Sequence, residues 1–551
     1  MKTVVIPCAG TGSRLGDATK YYNKALCTLG PKPVISYIID HFTKEDEIII
    51  LLGYKGDFVR QVVQAIYPDW NIIFREVDIY EGPLSGLGYS LTKAYDLLQK
   101  PFIFWSNDTV TDLDINKQDY SDNWIALSEK YKGSKSYRHA LCLPKGVVQE
   151  ILPKDPKNVS VPLDLTSNVF SHSIEDSCYP YIGVSYIKDY EQFWLAYHDF
   201  PTSFVETGET QGLNYLDSLN AIFVNEWIDT GDPDILREAH ELYSLSMEET
   251  ILPKPNEAIW FIDNKVIKFH TDSNFIKDRI ARYEFLSELY EENNHLKIPK
   301  ITGYSDNLYI YEREPGVVAS KIINNELFSN LLREFFGIVY KADLGEEDVM
   351  KICKDFYKDK TLSRINTFME NTGEKDIPVI INGIKCKPVK DIINGLNWKE
   401  LSKYCVFSRC FHGDFHLENI LVQDKEKFVL LDWRQNFGSN NREYGDLNYD
   451  LAKMWHSLIV NHEMVRRNLF TVEDISDEEK RIDISRTFID TECEELLKET
   501  IEEDSLFNLD FIRLITALIF LNISGCHEYP YSKFLFYLGK YLLNLAVDYI
   551  S

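Results

Sequence analysis

His412-Gly413-Asp414-Phe415-His416-Leu417-Glu418-Asn419 places a carboxylate and an amide five residues apart on one short loop. Thirteen residues after Asn419, Asp432 follows the apolar run Phe428-Val429-Leu430-Leu431, which predicts a short hairpin after the loop. Phosphoryl transfer needs a carboxylate that orients the attacking hydroxyl, and an amide oxygen and a second carboxylate that hold Mg²⁺ on the nucleotide phosphates. Asp414, Asn419 and Asp432 supply these groups in that order.

Length and charge limit what the chain can be. Its 551 residues are too many for one hydrophobic core, and 44% of them are hydrophobic, so we expect two or more folded domains. The net charge of −27 repels nucleic acid polymers and anionic membranes, so we expect neither as a partner. Nucleotides remain compatible with this charge, because a few Lys or Arg side chains in one pocket outweigh the global field.

The cysteines and the apolar runs favour the cytoplasm. Ten cysteines are scattered without a C-x-x-C pair or zinc-ligand spacing, which is typical of free thiols in a reducing compartment. The run Val4-Val5-Ile6 is too short for a signal peptide, and the longest apolar stretch, around Leu514–Ile523, is too short to span a bilayer. We therefore predict a cytoplasmic protein without membrane insertion.

The first half of the chain alternates short apolar runs with helical patterns. Between the runs, amphipathic patterns predict helices over Pro33–Phe42 and Ser90–Leu98. This alternation predicts α/β crossover units and a doubly wound, open sheet, whose ligands bind beyond the carboxyl ends of the strands. The predicted buried strands are Thr3–Pro7, Glu47–Leu52, Asn71–Phe74 and Phe102–Trp105.

A proline-rich segment, Ile251-Leu252-Pro253-Lys254-Pro255-Asn256, interrupts any helix and predicts the domain boundary. We assign residues 1–252 to one domain and residues 256–551 to another. The first ends in a predicted strand, Ala221–Trp227, and a helix, Pro233–Leu245. The second begins with a predicted hairpin and a helix, and is largely helical from Phe328 onward; the predicted elements are Ala258–Ile262, Lys265–Phe269 and Phe275–Glu292.

A glycine loop, Cys8-Ala9-Gly10-Thr11-Gly12-Ser13-Arg14-Leu15, follows the first predicted strand. Gly10 and Gly12 lack side chains, so backbone N–H groups can approach phosphate oxygens closely. Arg14, and Lys24 ten residues further on, can neutralise the charge that grows as pyrophosphate leaves. Glycine after a strand is weak evidence alone, since many α/β turns need it for backbone reasons, but the two cations favour a nucleotide site.

Two aspartates follow predicted strands further along the chain. Asp108 comes after Phe102–Trp105, and Asp229 lies in Trp227-Ile228-Asp229-Thr230-Gly231 at another strand end. Two carboxylates that face one crevice form a reasonable Mg²⁺ site, in which the metal bridges the nucleotide and acceptor phosphates. The alternative interpretation is that each aspartate is only a helix N-cap, which is common at such positions.

In these residues the first domain resembles the nucleotidyltransferase family that makes nucleotide sugars and CDP-alcohols from an NTP and a phosphate monoester. The family motif Gly-x-Gly-x-Arg followed by Pro-Lys corresponds to Gly10–Arg14 followed by Asn23-Lys24, and the missing proline is expected to loosen the loop. The Trp-x-Asp-x-Gly motif corresponds to Trp227–Gly231. The resemblance implies a Rossmann-like, GT-A-type domain with a mixed sheet, and in-line attack by the acceptor phosphate on the NTP α-phosphorus.

The same resemblance assigns roles to less specific segments. Glu81–Gly88 resembles the glycine-rich segment that receives the nucleobase, which implies that Gly86 and Gly88 bind the nucleotide. Tyr181-Ile182-Gly183-Val184 resembles the segment that lines the sugar or alcohol site, which implies that Gly183 contacts the substrate. Lys154 is the lysine that the resemblance implies for binding the substrate phosphate.

The second domain carries another nucleotide constellation. Lys268 lies on a predicted strand and Glu284 on the helix that follows it. A lysine held by a helical glutamate is how kinase-like folds aim a cation at the α- and β-phosphates. Lys268 alone is more often a solvated residue, and Glu288 is a rival partner for it. The order of Lys268 and Glu284 relative to Asp414 supports the kinase interpretation.

The second domain resembles the aminoglycoside phosphotransferase and choline kinase family, whose His-Gly-Asp-(four residues)-Asn motif is matched residue for residue. The resemblance implies a bilobal, protein-kinase-like α+β domain that uses ATP and Mg²⁺. It implies that Asp414 is the catalytic base, that Asn419 and Asp432 bind the metal, and that Asp446 and Asp450 brace the loop. The protein-kinase activation segment is absent, which argues against a protein substrate.

Together the two resemblances predict a bifunctional enzyme. The kinase domain phosphorylates a small alcohol or sugar with ATP, and the transferase domain couples that phosphate to a second NTP, with CTP favoured. Pyrophosphate is released, and the product is a nucleotide-activated precursor for a surface or capsule polysaccharide or a lipid head group. Mg²⁺ is expected in both domains.

Three alternatives stay open. A choline kinase joined to a phosphocholine cytidylyltransferase is favoured by the 13% aromatic content, since an aromatic cage binds quaternary ammonium, although Gly82–Gly88 looks more like sugar-phosphate transferases. In the second alternative only one half is active and the other binds or regulates. In the third, the chain is an antibiotic kinase that phosphorylates aminoglycosides. The sequence indicates no oligomeric state.

Overall fold

The computed structural model describes residues 1–16, 18–83, 85–143, 146–152, 177–199, 208–245, 256–291, 293, 295–438 and 442–550. These residues form two compact units. The first unit runs from Met1 to residue 245 and includes residues 256–271, and the second unit starts at Asp272. The predicted boundary segment falls on residues 251–255, outside the described residues, so the assignment of domains to 1–252 and 256–551 stays a prediction.

Fifteen strands are described in the first unit, and nine of them form one mixed sheet in the order β10-β9-β11-β6-β1-β4-β5, with β8 beside β11 and β12 beside β8. Strands β6, β1, β4 and β5 are parallel, whereas β11 is antiparallel to β6 and β8. The described strands are β1 (Thr3–Cys8), β2 (Thr28–Leu29), β3 (Lys32–Pro33), β4 (Glu47–Leu52), β5 (Ile72–Glu76), β6 (Phe102–Trp105), β7 (Thr109–Thr111), β8 (Trp124–Ser128), β9 (His139–Cys142), β10 (Val148–Leu152), β11 (Cys178–Ile187), β12 (Asn220–Val224), β13 (Trp227–Asp229), β14 (Glu257–Ile262) and β15 (Lys265–His270).

The centre of this sheet follows the sequence prediction. Strand β1 is buried at every position, because a parallel strand in the middle of a covered sheet buries both of its faces. The predicted strands Glu47–Leu52 and Phe102–Trp105 match β4 and β6, and the other two shift by a residue or two at their ends. The prediction of a mixed α/β sheet for the N-terminal part of the chain is therefore confirmed.

Helices of the first unit are shorter than predicted. Pro33 stands just before the helix Val34–Ile39, where its missing N–H costs nothing. The prediction of a helix over Ser90–Leu98 is wrong in position, because the helix starts after the extended Gly86 and residues 93–97 continue only as turns. The described helices are Ala18–Tyr21, Val34–Ile39, Gly56–Ile66, Leu87–Thr92, Tyr190–Asp199, Glu209–Leu213 and Pro233–Ser244.

A two-stranded ribbon brings the two halves of the predicted metal site together. Strand β13 pairs with β7, with Asp229 opposite Thr109 and Trp227 opposite Thr111. The predicted single strand Ala221–Trp227 is therefore two strands, β12 and β13, that belong to different sheets. Since Thr109 follows Asp108 directly, the ribbon sets Asp229 beside Asp108.

The hairpin β14–β15 packs with the first unit, although the sequence places it after the domain boundary. The backbone N–H of Phe261 donates to the Pro31 carbonyl at 2.8 Å, and the indole N–H of Trp260 donates to the Thr28 hydroxyl at 3.1 Å. Trp260 is completely buried, so its indole needs such a partner.

The second unit places a short hairpin, β23–β24, directly after the His412–Asn419 loop, as predicted. A four-stranded sheet of β21, β20, β27 and β26 lies within the region that was predicted to be largely helical. The described strands are β16 (Leu296–Lys297), β17 (Ile301–Tyr304), β18 (Leu308–Glu312), β19 (Val317–Val318), β20 (Val379–Ile381), β21 (Ile384–Cys386), β22 (Phe407–Ser408), β23 (Ile420–Asp424), β24 (Lys427–Leu430), β25 (Gly445–Asp446), β26 (Phe470–Asp474) and β27 (Glu479–Ile484).

Helices supply most of the core of the second unit. The two longest of the C-terminal region pack so closely that a Cβ added at Gly539 would lie 2.8 Å from Leu521 Cγ. A π-helical turn, Lys354–Asp359, joins two of the α-helices. The described α-helices are Ser273–Glu291, Ala319–Ile322, Asn325–Gly337, Glu346–Cys353, Lys360–Thr372, Val389–Gly395, Trp398–Leu401, Leu447–Ile459, His462–Arg466, Phe488–Glu503, Leu509–Ser524 and Tyr531–Ile550.

All ten cysteines are free thiols, and eight of them are buried, as the scattered spacing predicts. Within the described ranges, every helix is too short or too polar to cross a bilayer.

Arg282, on the helix Ser273–Glu291, fastens that helix to the segments just before the His412–Asn419 loop and around Glu443. The side chain is 1% exposed and its guanidinium donates to four backbone carbonyl groups. Its acceptors are Arg409 O at 2.6 Å, Phe411 O at 2.7 Å, Glu443 O at 2.7 Å and Arg442 O at 3.0 Å. Removal of the guanidinium would take a charged donor from all four carbonyl groups and would leave a buried acceptor at Phe411.

We expect Arg282→Met to lower the free energy of unfolding of the second unit by about 3 kcal/mol or more, because four acceptors lose a charged donor at once and one of them is buried. Calorimetric unfolding of the full chain measures this loss. Arg467→Met is the matched control, because Arg467 is exposed and its side chain makes no hydrogen bond with the described residues. Equal stability of the two variants would contradict the anchoring role.

Candidate active sites

The glycine loop after β1 is shaped by Asn23 rather than by the proline of the family motif. The Asn23 amide donates to Cys8 O at 2.8 Å and to Tyr54 O at 2.7 Å, and its oxygen accepts from Ala25 N at 3.0 Å. Asn23 is completely buried. The expected loosening of the loop is therefore offset by three hydrogen bonds. Gly12 adopts φ +67°, and a Cβ there would lie 2.9 Å from Thr19 Cγ2.

Lys24 and Arg14 both point at Asp108. The Lys24 ammonium lies 2.8 Å from Asp108 Oδ2, and the Arg14 guanidinium lies 3.7 Å from the same oxygen. The Ser106 hydroxyl donates to the other carboxylate oxygen, Asp108 Oδ1, at 2.5 Å. The Arg14 side chain is 57% exposed, so it remains accessible to a ligand, whereas Lys24 is mostly buried.

Asp108, Asp229 and Arg14 converge on Gly231. A Cβ added to Gly231 would lie 2.9 Å from Asp108 Oδ2, 3.0 Å from Asp229 Oδ1 and 3.0 Å from the Arg14 guanidinium. A side chain at this position would push these charged groups apart, whereas glycine leaves them close together. The two aspartates that the sequence predicted as one metal site therefore do face one another.

The two carboxyl groups respond in opposite ways to this environment. Burial alone would raise the pKa of Asp108, but the charges of Lys24 and Arg14 outweigh it and hold that pKa well below its usual range. Burial raises the pKa of Asp229, and the neighbouring charge of Asp108 raises it further. Lys24 offsets the burial of Asp108, but no lysine among the described residues does the same for Asp229. A divalent cation would stabilise the ionised form of Asp229.

The alternative interpretation of these aspartates as helix N-caps is wrong. Asp108 is followed by the strand β7 rather than by a helix. The helix Pro233–Ser244 is capped by Asp232, whose carboxylate accepts from the backbone N–H of Asp234 and Ile235. Asp229 instead accepts from Gly231 N at 2.9 Å, a bond that closes the turn around the site.

Other predicted residues of the first unit have less specific positions. Gly183, at φ +82°, lets β11 approach Ser106, because a Cβ there would lie 2.8 Å from Ser106 Cβ. Gly86 precedes the short helix Leu87–Thr92 and Gly88 is buried within it. Their predicted roles in binding substrate and nucleotide stay predictions. Lys154 lies outside the described residues.

In the second unit, Asp450 holds the His412–Asn419 loop in place, as expected. Its carboxylate accepts from His412 N at 2.8 Å and from Gly413 N at 2.6 Å. Burial raises the pKa of Asp450 to about 8, against these hydrogen bonds and the charge of Arg282. Asp446 is equally buried but accepts from Val406 N at 2.9 Å, outside the loop, so its predicted bracing of the loop stays a prediction.

Asp414 lies among hydrogen-bond donors and cations. The Asn419 amide donates to Asp414 O at 3.0 Å and to Oδ2 at 3.1 Å, and the Lys453 ammonium lies 2.7 Å from Oδ1. Burial opposes ionisation, but Lys453 and His416 outweigh it and hold the pKa of Asp414 well below its usual range. The side chain is still 32% exposed, so a substrate can reach this carboxylate.

The residues on either side of Asp432 bond to the two ends of the His412–Asn419 loop. Leu431 N donates to Asn419 O at 2.7 Å, and Arg434 N donates to His412 O at 2.7 Å. The negative charges of Asp414 and Asp432 would raise the pKa of His412. Burial outweighs them and lowers that pKa to about 4. Asp432 adopts the left-handed φ of +60° and its Oδ1 lies 2.5 Å from the Arg279 guanidinium.

His416 stands between two acids. Its Nε2 lies 3.5 Å from Asp414 Oδ2 and its Nδ1 lies 3.3 Å from Glu418 Oε2. Burial would lower the pKa of His416, but Asp414 and Glu418 outweigh it and raise the pKa to about 8. The imidazolium is therefore part of the charge balance at the His412–Asn419 loop, a role that the sequence analysis did not assign to His416.

The predicted pair of Lys268 and Glu284 is divided between the units. Lys268 lies on β15, which belongs to the first unit, and Glu284 lies on the helix Ser273–Glu291 of the second. Their interaction, and the rival role of Glu288, stay predictions.

Sequence reasoning missed Lys453, the cation nearest to Asp414. It lies three residues after Asp450, so helical spacing puts Lys453 and Asp450 on one face, which is a signal that the sequence offers. Sequence reasoning also missed Arg279, because no local pattern links it to Asp432, 153 residues away.

Neither predicted metal site is a preformed cage. The described residues contain no group of three or more His, Cys, Asp or Glu side chains that is arranged to hold a metal ion. The first site offers two carboxylates, and the second offers one carboxylate with the Asn419 amide. Mg²⁺ is commonly bound in this way, with few protein ligands plus substrate phosphates.

The first unit has an α/β fold in which two aspartates converge, and comparisons with known proteins find similarity to nucleotidyltransferases in the N-terminal part of the chain. Over 128 residues the chain is 23% identical to D-glycero-alpha-D-manno-heptose 1-phosphate guanylyltransferase of Campylobacter jejuni, covering 23% of this chain and 56% of that protein. Over 63 residues it is 36% identical to a probable glucose-1-phosphate cytidylyltransferase of Bacillus subtilis, covering 11% of this chain and 24% of that protein. Both relatives are nucleotidyltransferases by name.

Among solved structures, an apo UDP-glucose pyrophosphorylase aligns with 44% of this chain and 98% of its own length, at 16% identity and a TM-score of 0.36. The chain matches no protein-family model. It spans about half the length of the first curated relative and about a quarter of the second. The kinase resemblance of the second unit remains a prediction.

The raised pKa of His416 predicts a pH-dependent stability. Because the folded pKa, about 8, lies above the ordinary 6.5, His416 contributes stability that is complete below pH 6.5 and is lost as pH rises through 8. The shift corresponds to roughly 2 kcal/mol. The stability difference between wild type and His416→Gln should therefore shrink by about that amount from about pH 6 to about pH 9 in urea unfolding.

His295→Gln serves as the control for this titration, because the His295 ring contacts the Glu426 carbonyl oxygen instead of a carboxylate. A difference between wild type and His416→Gln that stays constant with pH would show that Asp414 and Glu418 do not hold the imidazolium.

Proposed function

We propose that the first unit transfers a nucleotidyl group from an NTP to a phosphate monoester. The observation that carries this proposal is the convergence of Asp108, Asp229 and Arg14 around Gly231, next to a glycine loop that carries Lys24. Carboxylates, cations and exposed backbone N–H groups at the end of a central parallel strand are what an NTP and its leaving pyrophosphate need. The similarity of short stretches to named guanylyl- and cytidylyltransferases supports the same reaction.

Asp108 and Asp229 are the residues that would hold Mg²⁺ in this unit. They fit a divalent cation because two buried carboxylates converge and only one of them is paired with a lysine. When bound, Mg²⁺ neutralises phosphate charge and orients the two phosphates. Arg14, which is largely exposed, meets the charge of the departing pyrophosphate, and Lys24 maintains Asp108 in its ionised form.

The second unit is proposed to phosphorylate a small alcohol or sugar with ATP. Asp414 is accessible, ionised and held by Asn419 and Lys453, so it can accept a hydrogen bond from the attacking hydroxyl and finally take its proton. Because the pKa of Asp414 is held low, this proton moves only once the new O–P bond is forming. Asn419 and Asp432 fit Mg²⁺ as an amide oxygen and a carboxylate on linked segments.

Acting in sequence, the kinase unit makes the phosphate monoester that the transferase unit consumes. The proposed product is a nucleotide-activated alcohol or sugar, with CTP as the favoured second NTP, for use in capsule or other surface polysaccharide or in a lipid head group. Presence of both sites on one chain supports the sequential order. The choline version, and a chain in which one half only binds or regulates, are the competing proposals.

We expect Asp229→Asn to lower nucleotidyl transfer at least about 100-fold while leaving ATP-dependent phosphorylation unchanged, and Asp414→Asn to do the reverse. Phosphorus NMR of the full chain with ATP, CTP, Mg²⁺ and candidate alcohols follows both products in one tube. Asp234→Asn and Asp424→Asn are matched controls, because both residues are exposed carboxylates outside the two sites.

Each outcome of this experiment separates the proposals. If Asp414→Asn leaves every phosphorylation unchanged, the kinase assignment is wrong. If only one of the two activities exists in the wild-type chain, the other unit is a binding or regulatory part.

A further inference from the structure

Three cations are linked to one another and to the His412–Asn419 loop of the second unit: Lys360, Arg434 and Lys453, here called the cationic cluster. The Lys360 ammonium lies 4.2 Å from the centre of the Phe356 ring, and the Arg434 guanidinium lies 5.1 Å from the same centre. Lys453 contacts Asp414 Oδ1 at 2.7 Å. One aromatic ring is thus shared by two cations, and the third touches the proposed base.

Arg434 connects the cationic cluster to the loop itself. Its backbone N–H donates to His412 O at 2.7 Å, and its Cβ lies 2.4 Å from the position that a Cβ on Gly413 would take. Gly413 directly precedes Asp414. The shared ring, Phe356, belongs to the π-helical turn Lys354–Asp359, a kind of distortion that is frequent at functional sites.

Two members of the cluster lack a counter-charge within the described chain. Lys360 makes no ion pair and no hydrogen bond with any described residue, and Arg434 has no carboxylate partner among them. The Nε of Arg434 is buried and unpartnered in the same set of residues. Burial, together with repulsion from Arg434, Arg364 and Lys453, pushes the pKa of Lys360 well below its usual range.

This arrangement is costly for a protein unless an anion completes it. Lys360 and Arg434 are half-buried. Cations that are partly removed from water are normally paired, and in a chain with net charge −27 carboxylates are plentiful. A phosphate or carboxylate accepts hydrogen bonds from a guanidinium fork and from an ammonium at once. Lys453 contacts Asp414 directly and Arg434 bonds to the loop that carries Asp414, whereas the proposed metal ligands are Asn419 and Asp432.

We propose that Lys360 and Arg434 bind an anionic group, a phosphate or a carboxylate, on the small alcohol whose hydroxyl Asp414 activates. This inference rests on the proposed kinase function. The hydroxyl oxygen forms a bond to the γ-phosphorus of ATP as the bond from that phosphorus to the ADP oxygen breaks, and the hydroxyl proton passes to Asp414. The products are ADP and an acceptor that carries both its original anionic group and a new phosphate. A quaternary ammonium acceptor such as choline is repelled by this cluster.

Matched acceptors test the inference on the full chain with ATP and Mg²⁺. Glycerol, glycerate and glycerol 3-phosphate share a carbon skeleton and differ in charge, and choline supplies the opposite charge. We expect the anionic compounds to exceed glycerol and choline in kcat/KM by at least about tenfold, because one charge-assisted hydrogen bond is worth that much. Glycerate against glycerol 3-phosphate decides between carboxylate and phosphate. Preferential turnover of glycerol or choline would overturn the inference.

Variants localise the effect. Lys360→Gln and Arg434→Gln should raise KM for the preferred anionic acceptor by about tenfold or more and leave KM for ATP nearly unchanged. Lys360→Arg should retain part of the affinity, and Lys354→Gln, an exposed lysine before the same ring, should change nothing. A rise in KM for ATP with unchanged acceptor preference would assign the cluster to the nucleotide and overturn the inference. Neither Lys360→Gln nor Arg434→Gln removes an ion pair with any described residue, so we expect both variants to fold. Their thermal unfolding temperatures test this expectation.

A binding titration keeps this inference separate from the kinase proposal. Glycerol 3-phosphate and glycerate are titrated into the full chain without nucleotide, and the shift in unfolding temperature is compared with that of Lys360→Gln. Stabilisation of wild type alone supports the anion site even if no alcohol is phosphorylated, in which case the kinase proposal fails by itself. Equal response of both proteins, or of neither, overturns the anion site.

Discussion

In both units of this chain, a partly buried carboxylate is held against a lysine. Lys24 binds Asp108 in the first unit, and Lys453 binds Asp414 in the second. Each pairing offsets the desolvation of an acid and keeps it ionised where a phosphate has to react. The charge that lacks a partner among the described residues differs between the units. In the first unit it is the Asp229 carboxylate beside Asp108, which a metal cation would neutralise. In the second unit it is the pair of cations Lys360 and Arg434, which an anion would neutralise.

The sequence predicted the parts of both sites that are local, and missed those that are not. Strand ends and motif spacing placed Asp108, Asp414 and Asn419 correctly, because a buried apolar run fixes where the following polar residue emerges. The pairing of Asp432 with Arg279 spans 153 residues and has no local pattern. The two-stranded ribbon that carries Asp229 was read as the end of one longer strand, since nothing in the residues marks the change of sheet. Fold class was predictable for the first unit. In the second unit the sequence predicted the helix observed at Ser273–Glu291, the loop and its hairpin, but not the sheet of β21, β20, β27 and β26.

Charge distribution also changes the balance between candidate acceptors. Aromatic content alone favoured a quaternary ammonium substrate, but Phe356, one of the aromatic rings close to the cationic cluster, already faces Lys360 and Arg434. A ring that faces two cations of the protein itself has little electrostatic attraction left for a third. The global charge of −27 is therefore a poor guide to the charge around this ring, where two basic side chains lie without a carboxylate partner among the described residues.

Asn23 stands where the family motif has proline, and this difference affects how the glycine loop moves. A proline would stiffen only its own neighbourhood, whereas the Asn23 amide joins the end of β1, at Cys8, to the residue Tyr54 beyond β4. The glycine loop and the two strand ends therefore unfold locally together. The amide hydrogen of Ala25 should exchange with solvent at the rate of that cooperative opening, which is slower than the rate for a frayed surface turn.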